Sequence, residues 1–231
     1  MTRRSAITGL ALAGSTAQAQ ERPSETLYIP QPHLVKDRKL LHDFMDEFAF
    51  VDLVTAAPAV RITHIPSLLR RDAGPYGVIF GHISRQNPQR AALESGEHAV
   101  IVFHGPHSYI SPSWYAKTEA VPTWNFAVVH ASGKLKAITD KKALHGLLAQ
   151  LIRKFDRSTY DFSKLPESYV DGMIGGIIGF EMEIELLEGK FKLGQERSPE
   201  DQAGILRNLQ TAKPERSVHD LTASFYEWKK G

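Results

Sequence analysis

Cysteine is absent from all 231 residues. That single absence removes disulfides, thiolate zinc sites, iron–sulfur clusters and cysteine nucleophiles together. Excess charge is nearly absent as well, at +2. Both surplus cations lie at the very front. Removing residues 1–19 takes away Arg3 and Arg4 and no acidic residue, so the 28 basic side chains fall to 26, equal to the 26 acidic ones. The longest local basic runs are Leu69-Arg70-Arg71, Gly133-Lys134-Leu135-Lys136 and Lys229-Lys230. Strong binding to a phosphate backbone needs several clustered cations, and nothing here supplies them. Internal repeats, low-complexity runs, an H-E-x-x-H zinc signature and a G-x-S-x-G nucleophile elbow are all missing. His104 and His107 stand in H-x-x-H order with no carboxylate at ligand spacing, so no metal site is expected.

What is present is a chain with 42% apolar and 23% charged residues, the balance of a globular domain. Its first nineteen residues read as an export signal. A basic Arg3-Arg4 start precedes a weakly apolar stretch from Ala6 to Ser15, and Ala17-Gln18-Ala19 has the small residues of a cleavage site. The stretch is too short to cross a bilayer, so no membrane anchor is expected. The paired arginines resemble a twin-arginine signal, although Thr2-Arg3-Arg4-Ser5-Ala6-Ile7 has Ala where Phe is usual. The expected location is periplasmic or secreted, with a cytoplasmic protein as the alternative. Residues 20–26 read as a linker, 27–210 as the folded domain, and 211–231 as a polar, partly helical tail.

Within the domain, Asp37 is placed to cap a helix running to about Ala49, with Leu40, Leu41, Phe44 and Phe48 on one face. Val51–Ala56, Val60–Ile65, Val78–Ile83 and Val100–His104 read as short strands. Trp124–Ala131 and Lys134–Ile138 flank Ser132-Gly133, a two-residue hairpin signal. Ala143–Phe155 has helical spacing, and Gly179–Leu187 with Gly189–Leu193 suggests a final hairpin. Ser198-Pro199-Glu200-Asp201 resembles a capping box that opens a last helix. About six strands with interspersed helices predict an α+β fold, mainly antiparallel β: a barrel with helical appendages.

Three segments are richer in polar and aromatic residues than a β-core requires. In Arg61-Ile62-Thr63-His64-Ile65-Pro66, alternation puts Arg61, Thr63 and Ile65 on one face and His64 on the other. In His82-Ile83-Ser84-Arg85-Gln86-Asn87-Pro88-Gln89, a strand ends and a helix is expected with Asn87 as its cap. Such a helix start can seat a phosphate, with Ser84 and Arg85 adding a hydroxyl and a guanidinium; an ordinary capped helix with a surface arginine is the alternative. The third segment runs from Phe103 through Trp114 and Tyr115 to Val121-Pro122-Thr123-Trp124-Asn125. Its aromatics can stack on a planar ring, or they can fill a dimer interface.

Tyr28-Ile-Pro, Thr63-His64-Ile-Pro66, Gly81-His82-Ile-Ser-Arg85, His104-Gly-Pro-His-Ser-Tyr-Ile-Ser-Pro-Ser-Trp-Tyr115, Val121-Pro-Thr-Trp-Asn125, Gly176-Ile-Ile-Gly-Phe180 and Lys192-Leu-Gly-Gln195 together resemble the PaiB family. That family is described as FMN-binding negative transcriptional regulators with the split-barrel fold of pyridoxamine-phosphate-oxidase-like flavoproteins. The resemblance implies an FMN-binding split β-barrel and a homodimer with the flavin between subunits. It implies a cofactor site drawn from Arg61, Thr63, His64, His82, Ser84, Arg85, Asn87, Gln89, Trp114, Trp124 and Asn125. An exported FMN protein, such as an oxidoreductase acting on a small molecule, is the expected function. A cytoplasmic FMN-binding transcriptional regulator is the alternative, disfavoured by the export signal and the lack of a basic stripe. A haem-handling barrel, suggested only by the histidines, stands third.

Overall fold

Strand alternation, more than any single motif, sets the architecture. In the computed structural model, which describes residues 26–211 other than 117, 118, 157 and 159, most strands bury every second side chain and leave the next one half-exposed. The elements follow in order: β1 (Leu34–Val35), α1 (Arg38–Glu47), β2 (Phe50–Thr55), β3 (Arg61–Pro66), β4 (Leu68–Arg70), β5 (Val78–Ser84), α2 (Arg90–Ser95), β6 (His98–Ile110), β7 (Thr123–Ile138), α3 (Lys141–Phe155), α4 (Glu167–Gly175), β8 (Ile177–Glu183), β9 (Leu186–Lys192) and α5 (Pro199–Thr211). The export signal expected at 1–19, and all but the first residue of the tail expected at 211–231, lie outside the described residues.

All pairings are antiparallel, and the strand order is β3-β2-β6-β7-β8-β5-β4, with β9 added to β7 and β1 to β9. The sheet curls without closing, because its end strands β3 and β4 are not hydrogen-bonded to each other. Inside lies one core: Leu53, Ile79, Ile101, Phe103, Val129, Phe180 and Met182 have no exposed surface. Helix α1 supplies Leu41, Phe44 and Met45 to it. The Asp37 carboxylate accepts from the Leu40 amide at 3.1 Å, the expected cap. Leu40 itself points outward, and the helix stops at Glu47. A charged cluster fixes α1 to its surroundings: Arg71 bonds Asp43 and Asp46, and Lys154 of α3 reaches Asp46 at 3.1 Å.

Three expectations about the strands need correcting. The Ser132-Gly133 pair makes no hairpin; Thr123–Ile138 is one sixteen-residue strand. Up to Ser132 it pairs with β9, and from Leu135 it pairs with β8. Gly133 sits at the transition, where a Cβ would come within 2.1 Å of the Glu183 carbonyl oxygen. Glycine is there to let two backbones meet, not to turn the chain. For the same reason β8 and β9 are not a hairpin: they are successive in sequence, but each pairs with a different half of β7. The strand expected at Val100–His104 extends over thirteen residues, His98–Ile110, through an irregularity between His104 and His107. Helix α4 was not expected at all. The final helix begins as expected, with Ser198 Oγ accepting from the Asp201 amide at 3.2 Å.

Gly133→Ala is therefore expected to cost about 2–4 kcal/mol, because a methyl group would have to displace backbone rather than a flexible side chain. Urea unfolding followed by circular dichroism checks this. An unchanged midpoint would mean that the two strands can separate at the crossing without loss.

Candidate functional site

Gln89 organises the first part of the site. Its side chain is buried, and its amide nitrogen donates to the Leu53 carbonyl (3.0 Å), Thr55 Oγ1 (3.1 Å) and the Arg61 carbonyl (3.1 Å). Its amide oxygen accepts from Thr63 Oγ1, which in turn accepts from Asn87 Nδ2 at 2.9 Å. One amide thus ties β2 and β3 to the turn that follows β5. Two N–H groups shared among three acceptors leave Gln89 fully engaged. Thr63, Asn87 and Gln89 come together as expected, but as a mutually satisfied network.

Arg61 stands beside this network. The residue is half-buried, its backbone is held by Gln89, and its guanidinium enters no ion pair among the described residues. A half-buried cation lacking a protein counter-charge suits an anionic ligand.

The turn after β5 differs from its expected form. Helix α2 starts at Arg90, not at Asn87, and has six residues. The Asn87 side-chain oxygen accepts from the Gln89 amide at 2.9 Å, a local turn in place of a helix cap. Nearby amides are consumed internally: Gln86 on Ser84 Oγ, Asn87 on the Ser84 carbonyl, and Arg90 on the Asn87 carbonyl. An anion here must be met by side chains. Arg85 is engaged through two of the five N–H groups of a guanidinium. Its Nε and Nη2 donate to the carbonyls of Gly175 and Ile177, both at 3.0 Å, and clamp the end of α4 to β8. Ser84 is exposed on the outer side of β5. His82 lies on that side too; burial pushes its imidazole pKa down, and its Nδ1 has no hydrogen-bond partner among the described residues.

The opposite face of β3 shows a group that the sequence reading missed. Asp52 of β2 accepts from His64 Nδ1 on one oxygen and from His104 Nε2 on the other, at 2.9 Å. Burial works against ionisation of Asp52, but the two imidazole hydrogen bonds outweigh it and hold the carboxyl below its ordinary range. Strand register aligns His64, Asp52, Val102, His130 and Glu188 in one row across five strands. Thr26 gives its amide and hydroxyl protons to Glu188 at 3.0 and 2.7 Å, so its hydroxyl oxygen accepts from His130 Nδ1 at 3.0 Å. Burial lowers the His130 pKa. Around this polar row the face is apolar. Phe50 and Ile62 are 67% and 55% exposed, flanked by half-buried Val54, Val100, Val102, Phe126 and Val128.

The aromatic segment divides. Trp114 packs beside Ile110, Tyr115 and Ile205 beneath α5, as an internal wall. Trp124 stands on the apolar face, half-exposed, 5.9 Å from the Tyr109 ring and 6.0 Å from His107. Asn125 alternates to the other side and is buried. The structure therefore brings Trp124 and His64 to one face, and separates them from Trp114 and Asn125.

Residues 27–186 match the sequence model of the family described as "Putative FMN-binding domain". The protease synthase and sporulation protein PAI 2 of Bacillus subtilis is 32% identical over 188 residues, covering 80% of this chain and 89% of that protein. Among solved structures, the flavocytochrome Anf3 from Azotobacter vinelandii is similar, with a TM-score of 0.54 and 16% identity over 79% of this chain and 81% of its own. The FAD and heme binding protein from Mycobacterium smegmatis has a TM-score of 0.54 and 14% identity, over 83% and 80% of the two chains. At these identities the likeness is one of fold, the antiparallel split barrel.

Asp52→Asn is expected to destabilise the protein at neutral pH by about 1 kcal/mol, a partly solvated charge-assisted hydrogen bond being lost. Because folding lowers the Asp52 pKa, its contribution is present above the ordinary carboxyl pKa and fades as pH falls through the depressed one. The stability gap between wild type and variant, read by urea unfolding across pH, should close in acid. A gap that stays constant down to about pH 2 would disprove ionised Asp52 as the source.

Proposed function

Because the chain belongs to the PaiB family of FMN-binding proteins, we propose that it is a homodimeric flavoprotein that pairs through the apolar outer face of β2, β3, β6 and β7 and meets the FMN phosphate with Arg61. Arg61 carries the reading: this half-buried residue has no ion-pair partner among the described residues and stands beside a rigid polar network. The residues present fit the cofactor. Arg61 offers a cation for a phosphate, and Trp124 offers an exposed aromatic surface on the apolar face. When bound, the flavin supplies hydride and electron transfer, so the protein need contribute no nucleophile.

The chain's own residues then have distinct tasks. Gln89 and Thr63 fix the backbone from which Arg61 projects, so the strand end is ordered before the ligand arrives. Arg85 holds the α4–β8 junction in place behind the β5 turn. On the outer face, Asp52 orients His64 and His104 and gives the cluster a carboxylate that stays ionised. The apolar surround excludes water from that cluster once a second copy covers it.

Two variants test the assignment together. Arg61→Ala is expected to weaken FMN by about tenfold or more while leaving riboflavin nearly unchanged, since only FMN carries the phosphate; a lost charge-assisted contact costs roughly 1.5–3 kcal/mol. Ile62→Asp is expected to yield monomers in light scattering and to weaken both flavins. Equal losses of FMN and riboflavin in the first variant, or an intact dimer in the second, would sink the respective half of the reading.

We further propose an exported oxidoreductase acting on a small molecule, the motive being the paired Arg3-Arg4 and the Ala17-Gln18-Ala19 pattern. N-terminal sequencing of the native protein from fractionated cells should give a start near Gln20 outside the cytoplasm. An intact Met1 or Thr2 in the cytoplasmic fraction would reject export.

A further inference from the structure

Between α3 and the outer face of β4, β5 and β8 lies a cleft of about 440 Å³, on a part of the barrel that the flavin reading does not use. Its walls are Leu68, Leu69, Phe80, Ile138 and Leu147. At its mouth the Arg70 guanidinium lies over the Phe80 ring, 4.7 Å from the centroid, and forms no ion pair among the described residues. The carboxylate of the lining, Glu181, is paired with Lys136 at 2.6 Å. Among the described residues the cleft therefore has a cation without an ion-pair partner beside apolar walls.

Helix α3 carries a second, independent feature. Gly146 stands in its interior and lines the cleft, and a Cβ there would meet nothing within 4 Å. An interior helical glycine is costly, and no packing constraint at this position requires one. Any larger side chain would project into the open space, so the glycine keeps the cleft wide.

We propose that this cleft binds a small amphipathic monoanion, an apolar chain or ring system with one carboxylate, whose body lies on Phe80 and Leu147 and whose head pairs with Arg70. The volume falls in the range of small-molecule sites, and the lining combines apolar walls with a few polar groups, Arg70, Gln150 and the Lys136-paired Glu181, as such sites do. Stacking on Phe80 holds the guanidinium plane while leaving its N–H edges free to meet a carboxylate.

The test uses decanoate and its uncharged counterpart decanol, titrated calorimetrically below micellar concentration into the full-length, FMN-loaded protein. Wild type is expected to bind decanoate with a Kd of roughly millimolar or tighter, and decanol more weakly. Arg70→Ala should weaken decanoate roughly tenfold and leave decanol unchanged. Gly146→Leu should abolish both while FMN binding and the thermal midpoint are kept or raised; Gly146→Ala, the milder filling, should weaken both if the leucine variant does not fold. Absence of decanoate binding by wild type would overturn the proposal, as would retained binding in both Gly146 variants. An unchanged decanoate affinity in Arg70→Ala would overturn the anionic class of ligand.

Discussion

A strand of sixteen residues cannot serve two sets of neighbours unless its backbone comes very close to another at the point of exchange. In this protein that point is Gly133, pressed against the Glu183 carbonyl. Before it β7 pairs with β9, and beyond it β7 pairs with β8, while β6 runs beside it from Thr123 to Lys134. This crossing lets one antiparallel sheet curl around the core that contains Phe103, Val129 and Phe180. It also sets the outer face, because the register of β7 decides which residues of β2, β6 and β9 stand in line with His130. A one-residue slip in β7 would turn His130 inward and bring Val129 outward.

Gln89 plays the corresponding part on a smaller scale. A buried amide is destabilising unless its polar atoms are bonded, and here they reach β2 and β3 at once. The network leaves little freedom at the end of β3, where Arg61 emerges. In the proposed reading, the backbone under Arg61 is thus ordered before a phosphate arrives, and only the side chain is left to settle.

Much of this was legible in the sequence, and what was not has identifiable causes. The Asp37 cap, the alternation in β2 and β3, and the Ser198 cap are local patterns, and they recur in the structure at nearly the expected residues. Gly133 was misread because glycine signals both turns and close backbone approach, and only the partner strand distinguishes them. Helix α4 escaped notice because Gly172, Gly175 and the preceding Pro166 weaken a helical reading; its C-terminal end is held by Arg85 from ninety residues away. The same clamp was not legible either: a lone arginine beside a strand end gives no hint that distant carbonyls are among its partners. Asp52 was overlooked for a related reason. The signal available was a single carboxylate among Phe50, Val51, Leu53 and Val54, and its meaning depends on histidines brought from two other strands.

The two faces of β3 join these observations. Arg61 and Thr63 turn toward the Gln89 network, while Ile62 and His64 turn toward the apolar face. Neighbouring residues of one strand therefore address two different environments, as alternation requires. In the reading proposed above, the phosphate end of the cofactor belongs to the first and the subunit partner to the second. Displacement of β3 could not then be confined to one of them: a shift that moved Arg61 would also move Ile62 and strain the Asp52–His64 hydrogen bond. Cofactor binding and dimer pairing are coupled in that arrangement through rigid backbone, with no need for a separate moving part. The coupling is also reciprocal, so a partner that orders β3 from outside favours the anion-binding geometry inside to the same extent that the anion favours the partner.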